Sequence, residues 1–357
     1  MSTIFYSVMG EGRGHAARAR AMVERLRDRH RLVLFSSADG LEFLQKVFGD
    51  DPEIAVHEIP GIVFHYTSKR IDYAKTIRLG AAFWASAGRE ARKLLPLFDE
   101  LKPDLAICDF EPLLPRAARA AGVPLVSLDH QHFLSTYDLS GLPANLRRWA
   151  WRMSWATWAF GIDAQKRIVS AFYDPPLRPD AADVVQVSTL LRDSVRHRVP
   201  ARGEYLLSYL RRATPQRVVD LLAALPLPVK VYGLGAREGV GSATFHAIDE
   251  STFVADLAGC DALISAAGNQ LLGEALHFGK PVLTLPERGH HEQCINACFL
   301  AEMGAGEWRH LEKVTADDLG AFLARRDDYR AAIAASGKSF DGTPRAVEAV
   351  EAALAGS

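Results

Sequence analysis

Short apolar runs alternate with amphipathic stretches along most of the chain, which is the pattern of parallel strands joined by crossover helices. Residues 4–8 read as a first strand, 15–30 as a helix with Val23 and Leu26 on its inner face, and 31–36 as a second strand. Strands over 105–108 and 125–128 each follow a proline-marked turn, Lys102-Pro103-Asp104 and Gly122-Val123-Pro124, with a connecting helix over 112–121. The rhythm breaks at 145–172, a long helical stretch rich in Trp, and at the stiff bend Asp174-Pro175-Pro176-Leu177-Arg178-Pro179. A second series follows, with strands over 205–210, 229–233, 262–265 and 282–285 and helices over 214–225 and 270–278. The expectation is an α/β protein of two facing, doubly wound, Rossmann-like domains with a cleft between them. Residues 1–192 form the first domain, 193–202 a polar linker, and 203–357 the second, whose last helix is placed to pack back on the first.

The length of 357 residues supports two domains. With 42 Lys and Arg against 43 Asp and Glu, whole-chain attraction to nucleic acid has no basis. Four cysteines in such a length do not make a disulfide framework, so a cytoplasmic location is expected. No secretory-type leader is legible, and no run approaches the roughly 20 apolar residues of a membrane span.

The segment Gly10-Glu11-Gly12-Arg13-Gly14-His15 follows a strand and opens a helix. Glycines there let a ligand approach backbone N–H groups while the helix N-terminus favours negative charge, so Gly12 and Gly14 are candidate donor-side residues. A dinucleotide fingerprint needs glycine where His15 stands, which argues against a nicotinamide oxidoreductase. His15, at a strand's carboxyl end, has the chemistry to take a proton from a hydroxyl nucleophile, and Asp109 at the end of a neighbouring strand is a candidate to orient it. The plainer readings are a packing histidine and a turn aspartate.

A second strand–glycine turn–helix runs through Gly268-Asn269-Gln270-Leu271-Leu272-Gly273-Glu274. Its helix-start amides suit a diphosphate, and Glu274, in the second helical turn, is within reach of a ribose hydroxyl.

Together with Gly279-Lys280-Pro281 and Glu292-Gln293-x-x-Asn296-Ala297, these pieces make the chain resemble the GT-B glycosyltransferases, in the branch of the MurG-type enzyme and the UDP-glycosyltransferases. The resemblance implies that Gly268 and Asn269 hold the donor diphosphate, Glu274 the ribose, and Glu292 and Gln293 the donor-sugar hydroxyls. It also implies that backbone near Phe253 and Val254 meets the base, and that His15 is the general base, partnered by Asp109. Ala266, Ala267 and Leu271 stand where that family often has polar side chains, so phosphate binding would rest on backbone and Asn269. The absence of any Asp-x-Asp motif agrees with the metal-free, cofactor-free chemistry the resemblance implies.

Three weaker signals remain. Trp149, Trp151, Trp155 and Trp158 lie in one helix beside Arg147, Arg148 and Arg152; core packing is the preferred reading, with peripheral contact to a membrane, or to an apolar or lipid-linked acceptor, as the alternative. His130 and His132 follow a strand and are candidate acceptor contacts, or caps. His290, Cys294 and Cys298 share a helical face without a fourth partner, so no metal site is expected. The combined expectation is an inverting, metal-independent glycosyltransferase that moves a sugar from a nucleotide-diphosphate donor, UDP-sugar foremost, to a hydroxyl acceptor. A sugar-nucleotide epimerase of the same fold and a non-catalytic nucleotide-sugar-binding protein are the alternatives.

Overall fold

The apolar runs of the N-terminal half become a seven-stranded parallel sheet in the computed structural model, which describes residues 1–62, 73–158, 160–211 and 214–356. Its strands are β1 (Ser2–Val8), β2 (His30–Ser36), β3 (Ile54–Glu58), β4 (Leu105–Asp109), β5 (Leu125–Asp129), β6 (Lys166–Ser170) and β7 (Val184–Val187). The helices between them are α1 (Arg13–Leu26), α2 (Ala38–Phe48), α3 (Tyr73–Arg92), α4 (Leu95–Leu101), α5 (Leu113–Ala121), α6 (Phe133–Thr136) and α7 (Ala144–Trp158). The strand order is β3-β2-β1-β4-β5-β6-β7, so it reverses between β1 and β4.

Alternation along β1 builds two cores. Ile4, Tyr6 and Val8 pack with Ala19, Met22 and Leu26 of α1, while Phe5 points to the other face among Ala87, Phe98, Leu114 and Ala118.

The second sheet has the order β10-β11-β9-β8-β12-β13-β14. Its strands are β8 (Leu206–Tyr209), β9 (Val229–Tyr232), β10 (Arg237–Val240), β11 (Ala243–His246), β12 (Ala262–Ser265), β13 (Val282–Thr284) and β14 (Gly306–Trp308). Its helices are α8 (Asp193–Arg196), α9 (Gln216–Ala223), α10 (Glu250–Gly259), α11 (Asn269–His277), α12 (His291–Glu302) and α13 (Ala316–Ala335). All pairings are parallel except β10 with β11. Here the order reverses between β8 and β12.

Contacts divide the chain into one unit of Met1–Gly141, Arg147–Arg192 and Gly342–Ser357 and another of Leu142–Leu146 and Asp193–Asp341. The last helix, α14 (Thr343–Ala355), therefore belongs to the first unit, where Ala346, Ala349 and Val350 join the α1 core.

Two expectations are corrected, and one hairpin was not foreseen. The stretch 145–172 is not one helix: α7 stops at Trp158 and Lys166–Ser170 is β6, which pairs with β5. The hairpin β10–β11 went unread, because three of the four β10 residues are polar or glycine and all four are exposed at a sheet edge. Core packing is not the role of the Trp-rich face: Trp151, Trp155 and Trp158 are 63%, 73% and 70% exposed, and only Trp149 is half-buried.

The turn after β1 is held by close backbone approach. The Gly40 N–H donates to the Gly10 carbonyl at 2.8 Å. A Cβ at Gly10 would lie 2.1 Å from Ser37 Oγ and 2.5 Å from the Ser37 carbonyl oxygen. Gly10→Ala is expected to destabilise the chain by about 1–3 kcal/mol through overpacking, read as a lower midpoint in urea.

Candidate active site

In open α/β sheets, ligands bind outside the carboxyl ends of the strands where the strand order reverses. In the first unit that point lies between β1 and β4, where Val8 pairs with Asp109 and the Met9 N–H donates to the Asp109 carbonyl at 2.9 Å. The chain leaving β1 turns through Gly12, whose φ of 91° glycine adopts without strain, and enters α1. His15 thus sits in the first turn of α1, over the end of β4.

Sequence had placed His15 and Asp109 together as candidates, and the structure joins them: His15 Nδ1 lies 2.7 Å from Asp109 Oδ1. A carboxylate only accepts, so Nδ1 is the donor of this bond and Nε2 is the ring nitrogen turned away from Asp109. The Gln131 amide nitrogen is 3.4 Å from that Nε2. The His15 side chain is 13% exposed and Asp109 is fully buried.

A third residue, missed in the sequence reading, completes the group. Arg18 donates from Nε to Asp109 Oδ2 at 2.8 Å and from Nη2 to Asp109 Oδ1 at 2.6 Å. The same Nη2 lies 3.0 Å from His15 Nδ1. Burial lowers the Arg18 pKa, but the charge and hydrogen bonds of Asp109 outweigh it and raise it overall. The signal was present: an arginine on the face of α1 that buries Ala19, Met22 and Leu26 demands a charge partner.

Around this group stand Phe110, stacked on Phe160 at 4.0 Å, and Trp84, edge-on to Phe160 at 5.4 Å. Phe110 holds the left-handed conformation at φ 53°, a strained state for an aromatic residue. Glu111 is buried and caps α5, accepting from the backbone N–H groups of Leu113 at 2.7 Å and Leu114 at 2.9 Å.

His130 and His132, read as acceptor contacts or caps, lie inward. Both rings are buried and engaged, His130 Nδ1 with the Ser170 carbonyl at 2.9 Å and His132 Nδ1 with Asp129 Oδ2 at 2.6 Å. Burial, then the positive charge of Arg18, hold His130 neutral with a pKa of about 3. Burial raises Asp129, but the His132 charge and hydrogen bonds prevail and bring it to about 2. This pair fixes the chain leaving β5.

In the second unit, Gly268 lies at the corresponding reversal, just after β12, as the exposed N-cap of α11. Asn296 of α12 donates to the Ala267 carbonyl at 2.9 Å and pins this turn. Asn269 and Glu274 are buried along α11, with Gln270 Nε2 donating to Glu274 Oε1 at 3.0 Å. Gln293 accepts from the Glu287 N–H at 2.8 Å through Oε1, which leaves its NH₂ available as a donor beside half-buried Glu292. Val254, in the segment read as meeting the base, is fully buried within α10. Lys280 is structural; its ammonium donates to the Cys260 carbonyl at 2.8 Å and to the Ala201 carbonyl. Among the described residues, no three His, Cys, Asp or Glu side chains form a metal-binding group, and His290, Cys294 and Cys298 make none.

Two doubly wound units, each with a glycine turn at its strand-order reversal, match the GT-B architecture. The fold is shared along nearly the whole chain with MurG of Acinetobacter baumannii (16% identity, 98% of this chain and 99% of that one, TM-score 0.63). It is likewise shared with UGT2 of Phytolacca americana (12% identity, 99% and 100%, TM-score 0.72). The profile of glycosyl transferase family 1 matches residues 2–326, and the chain belongs to that family. A Methanosarcina mazei protein described as an uncharacterized glycosyltransferase is 24% identical over 334 residues, 85% of this chain and 84% of the relative. The protein is a glycosyltransferase.

Two predictions follow from the geometry. Arg18→Met leaves the Asp109 carboxylate buried without its ion-pair partner and is expected to destabilise by about 3–5 kcal/mol, whereas Arg18→Met with Asp109→Leu recovers much of that loss in chemical denaturation.

The second concerns Glu111, whose carboxyl burial raises from 4.5 to about 7 against the Leu114 and Leu113 amides. The folded chain keeps this proton where the unfolded chain has lost it, so stability falls as pH rises from about 4.5 to about 7, by about 3 kcal/mol in all. Glu111→Gln removes this contribution, and its stability relative to the parent is expected to rise between about pH 5 and about pH 8 in urea titrations.

Proposed function

We propose that the protein is an inverting, metal-independent glycosyltransferase that uses a nucleotide-diphosphate sugar, a UDP-sugar foremost. The observation that carries this reading is the His15–Asp109 pair at the carboxyl edge of the first sheet, with Nδ1 bound to the carboxylate and Nε2 turned away from it. In this scheme the acceptor binds at the first unit and His15 Nε2 takes the proton of its hydroxyl. The acceptor oxygen forms a bond to the anomeric carbon as the bond from that carbon to the diphosphate oxygen breaks, and a single displacement inverts the centre. Asp109 stabilises the resulting imidazolium, and Arg18 positions Asp109.

The donor binds at the second unit. The N-terminal amides of α11 beyond Gly268, with Asn269, take the charge that develops on the departing diphosphate. Glu274 serves the ribose and Glu292 and Gln293 the sugar hydroxyls, while Gly12 and Gly14 keep the α1 end open to the donor. UGT2 of Phytolacca americana was solved with UDP-2-fluoro-glucose and pterostilbene, which supports a uridine donor and a hydroxyl-bearing aromatic acceptor for this fold. The aromatic wall of Trp84, Phe110 and Phe160 beside His15 favours an acceptor with an apolar body, lipid-linked acceptors included. A cytoplasmic enzyme with peripheral access to a membrane suits such acceptors; no described helix is long and apolar enough to cross one.

Thermal-shift titration of the full chain with nucleoside diphosphates and their sugars tests the donor site. The melting temperature is expected to rise with UDP and UDP-sugars and not to rise in Glu274→Ala. His15→Ala is expected to keep the shift and to lose about 10²–10⁴-fold in transfer rate, measured by release of the nucleoside diphosphate. A flat titration across all bases, or full turnover in His15→Ala, would overturn the scheme.

A further inference from the structure

Helix α7 carries a surface that sugar transfer does not explain. At about 100° per residue, Arg147, Trp151, Trp155, Trp158, Arg148 and Arg152 fall within about 140° of its circumference. Leu146, Ala150 and Thr157 on the opposite side are buried. The three indoles are 63%, 73% and 70% exposed. Scattered apolar side chains on a surface need no explanation, but three adjacent indoles flanked on both sides by arginines mark a binding face.

The chemistry of the face selects its partner. Indole rings concentrate at the boundary between bilayer hydrocarbon and headgroups, where the apolar body is buried and the N–H stays wet. Guanidinium groups bind phosphate oxygens in bidentate fashion. The helix holds no acidic residue. The whole chain is close to neutral at a formal charge of −1, so the attraction is local to this face. Arg147 spends one N–H on the Ser140 carbonyl at 3.2 Å and still lies exposed.

We propose that α7 docks the enzyme on the surface of a bilayer containing anionic phospholipid, with Trp151, Trp155 and Trp158 seated in the headgroup layer and Arg147, Arg148 and Arg152 on lipid phosphates. The helix lies in the plane of the interface and does not span it. This extends the membrane-side part of the proposed function, yet it is read without donor, acceptor or turnover, so its failure leaves the sugar-transfer scheme standing and the converse also holds.

The test is cosedimentation of the full chain with phosphatidylcholine vesicles, with and without phosphatidylglycerol, followed also by tryptophan fluorescence. Binding to the phosphatidylglycerol vesicles, a blue shift of emission and protection from acrylamide quenching are expected, all weakening as salt is raised. The Trp151→Ala, Trp155→Ala, Trp158→Ala triple variant is expected to lose binding and the blue shift. The Arg147→Gln, Arg148→Gln, Arg152→Gln variant, which keeps every indole, is expected to lose on the order of a hundredfold in partition coefficient for anionic vesicles. Both variants change exposed positions, and an unchanged melting temperature in each establishes that they fold.

Failure to sediment with anionic vesicles overturns the proposal, as does a triple-Trp variant that binds like the parent. So does a parent that forms a dimer in solution which the triple-Trp variant cannot form, because the face would then be an interface between copies. Equal binding to neutral and anionic vesicles overturns the role given to the arginines.

Discussion

The first unit's site depends on one buried ion pair, that of Arg18 and Asp109. A carboxylate with no exposed surface at the end of a central strand is untenable alone, since the loss of hydration far exceeds what one imidazole N–H returns. Arg18 meets it with two parallel N–H donors, the geometry in which guanidinium and carboxylate bind best. The pair fixes the rotation of α1 against β4, and with it the position of His15 one turn earlier on the same helix. It also changes the surroundings of the imidazole. In an isolated His–Asp dyad the full carboxylate charge acts on the ring. Here a guanidinium nitrogen also stands 3.0 Å from Nδ1, so the carboxylate that orients the imidazole is shared with Arg18.

The two units solve a shared geometric problem with different chemistry. In each sheet the strand order reverses once near the middle, and the chain leaving the strand there turns through glycine into a helix N-terminus. In the first unit that helix end carries a titratable group supported by a buried ion pair. In the second, Gly268 leads into helix amides, and the buried polar side chains Asn269 and Glu274 flank them. Proton transfer calls for a group that changes charge near neutrality, whereas a departing diphosphate calls for fixed dipoles that need no reorganisation. Under the proposed scheme, the difference between the two sites follows from those two demands.

Much of this was legible in the sequence, and the limits have physical causes. Buried parallel strands announce themselves as apolar runs, so β1, β2, β4, β5, β12 and β13 were located within a residue or two. His15 and Gly268 stood out because glycine turns after strands mark the edge where ligands bind, and both lie at helix starts just past a strand. Arg18 was passed over because attention to titratable acids and bases overlooks an arginine that merely compensates charge. His130 and His132 misled for the opposite reason: a polar residue after a strand is read as facing ligand, yet hydrogen bonds to Ser170 and Asp129 turn both rings inward. Short-range pattern carries no information about which of two polar roles a side chain fills once its partners, 40 residues away in the case of Ser170, have been brought beside it.

The tryptophans of α7 show the same limit from the side of exposure. Periodicity places Trp151, Trp155 and Trp158 on one face, and the hydrophobic effect alone would turn that face inward. The flanking guanidinium groups decide otherwise: turning the face inward would bury Arg148 and Arg152 as well, and the unsatisfied charge would cost more than three indoles regain. Leu146, Ala150 and Thr157, smaller and free of charge, take the inner side instead. What sets the orientation of the helix is thus the least tolerable residue to bury, and the exposed indoles are the consequence.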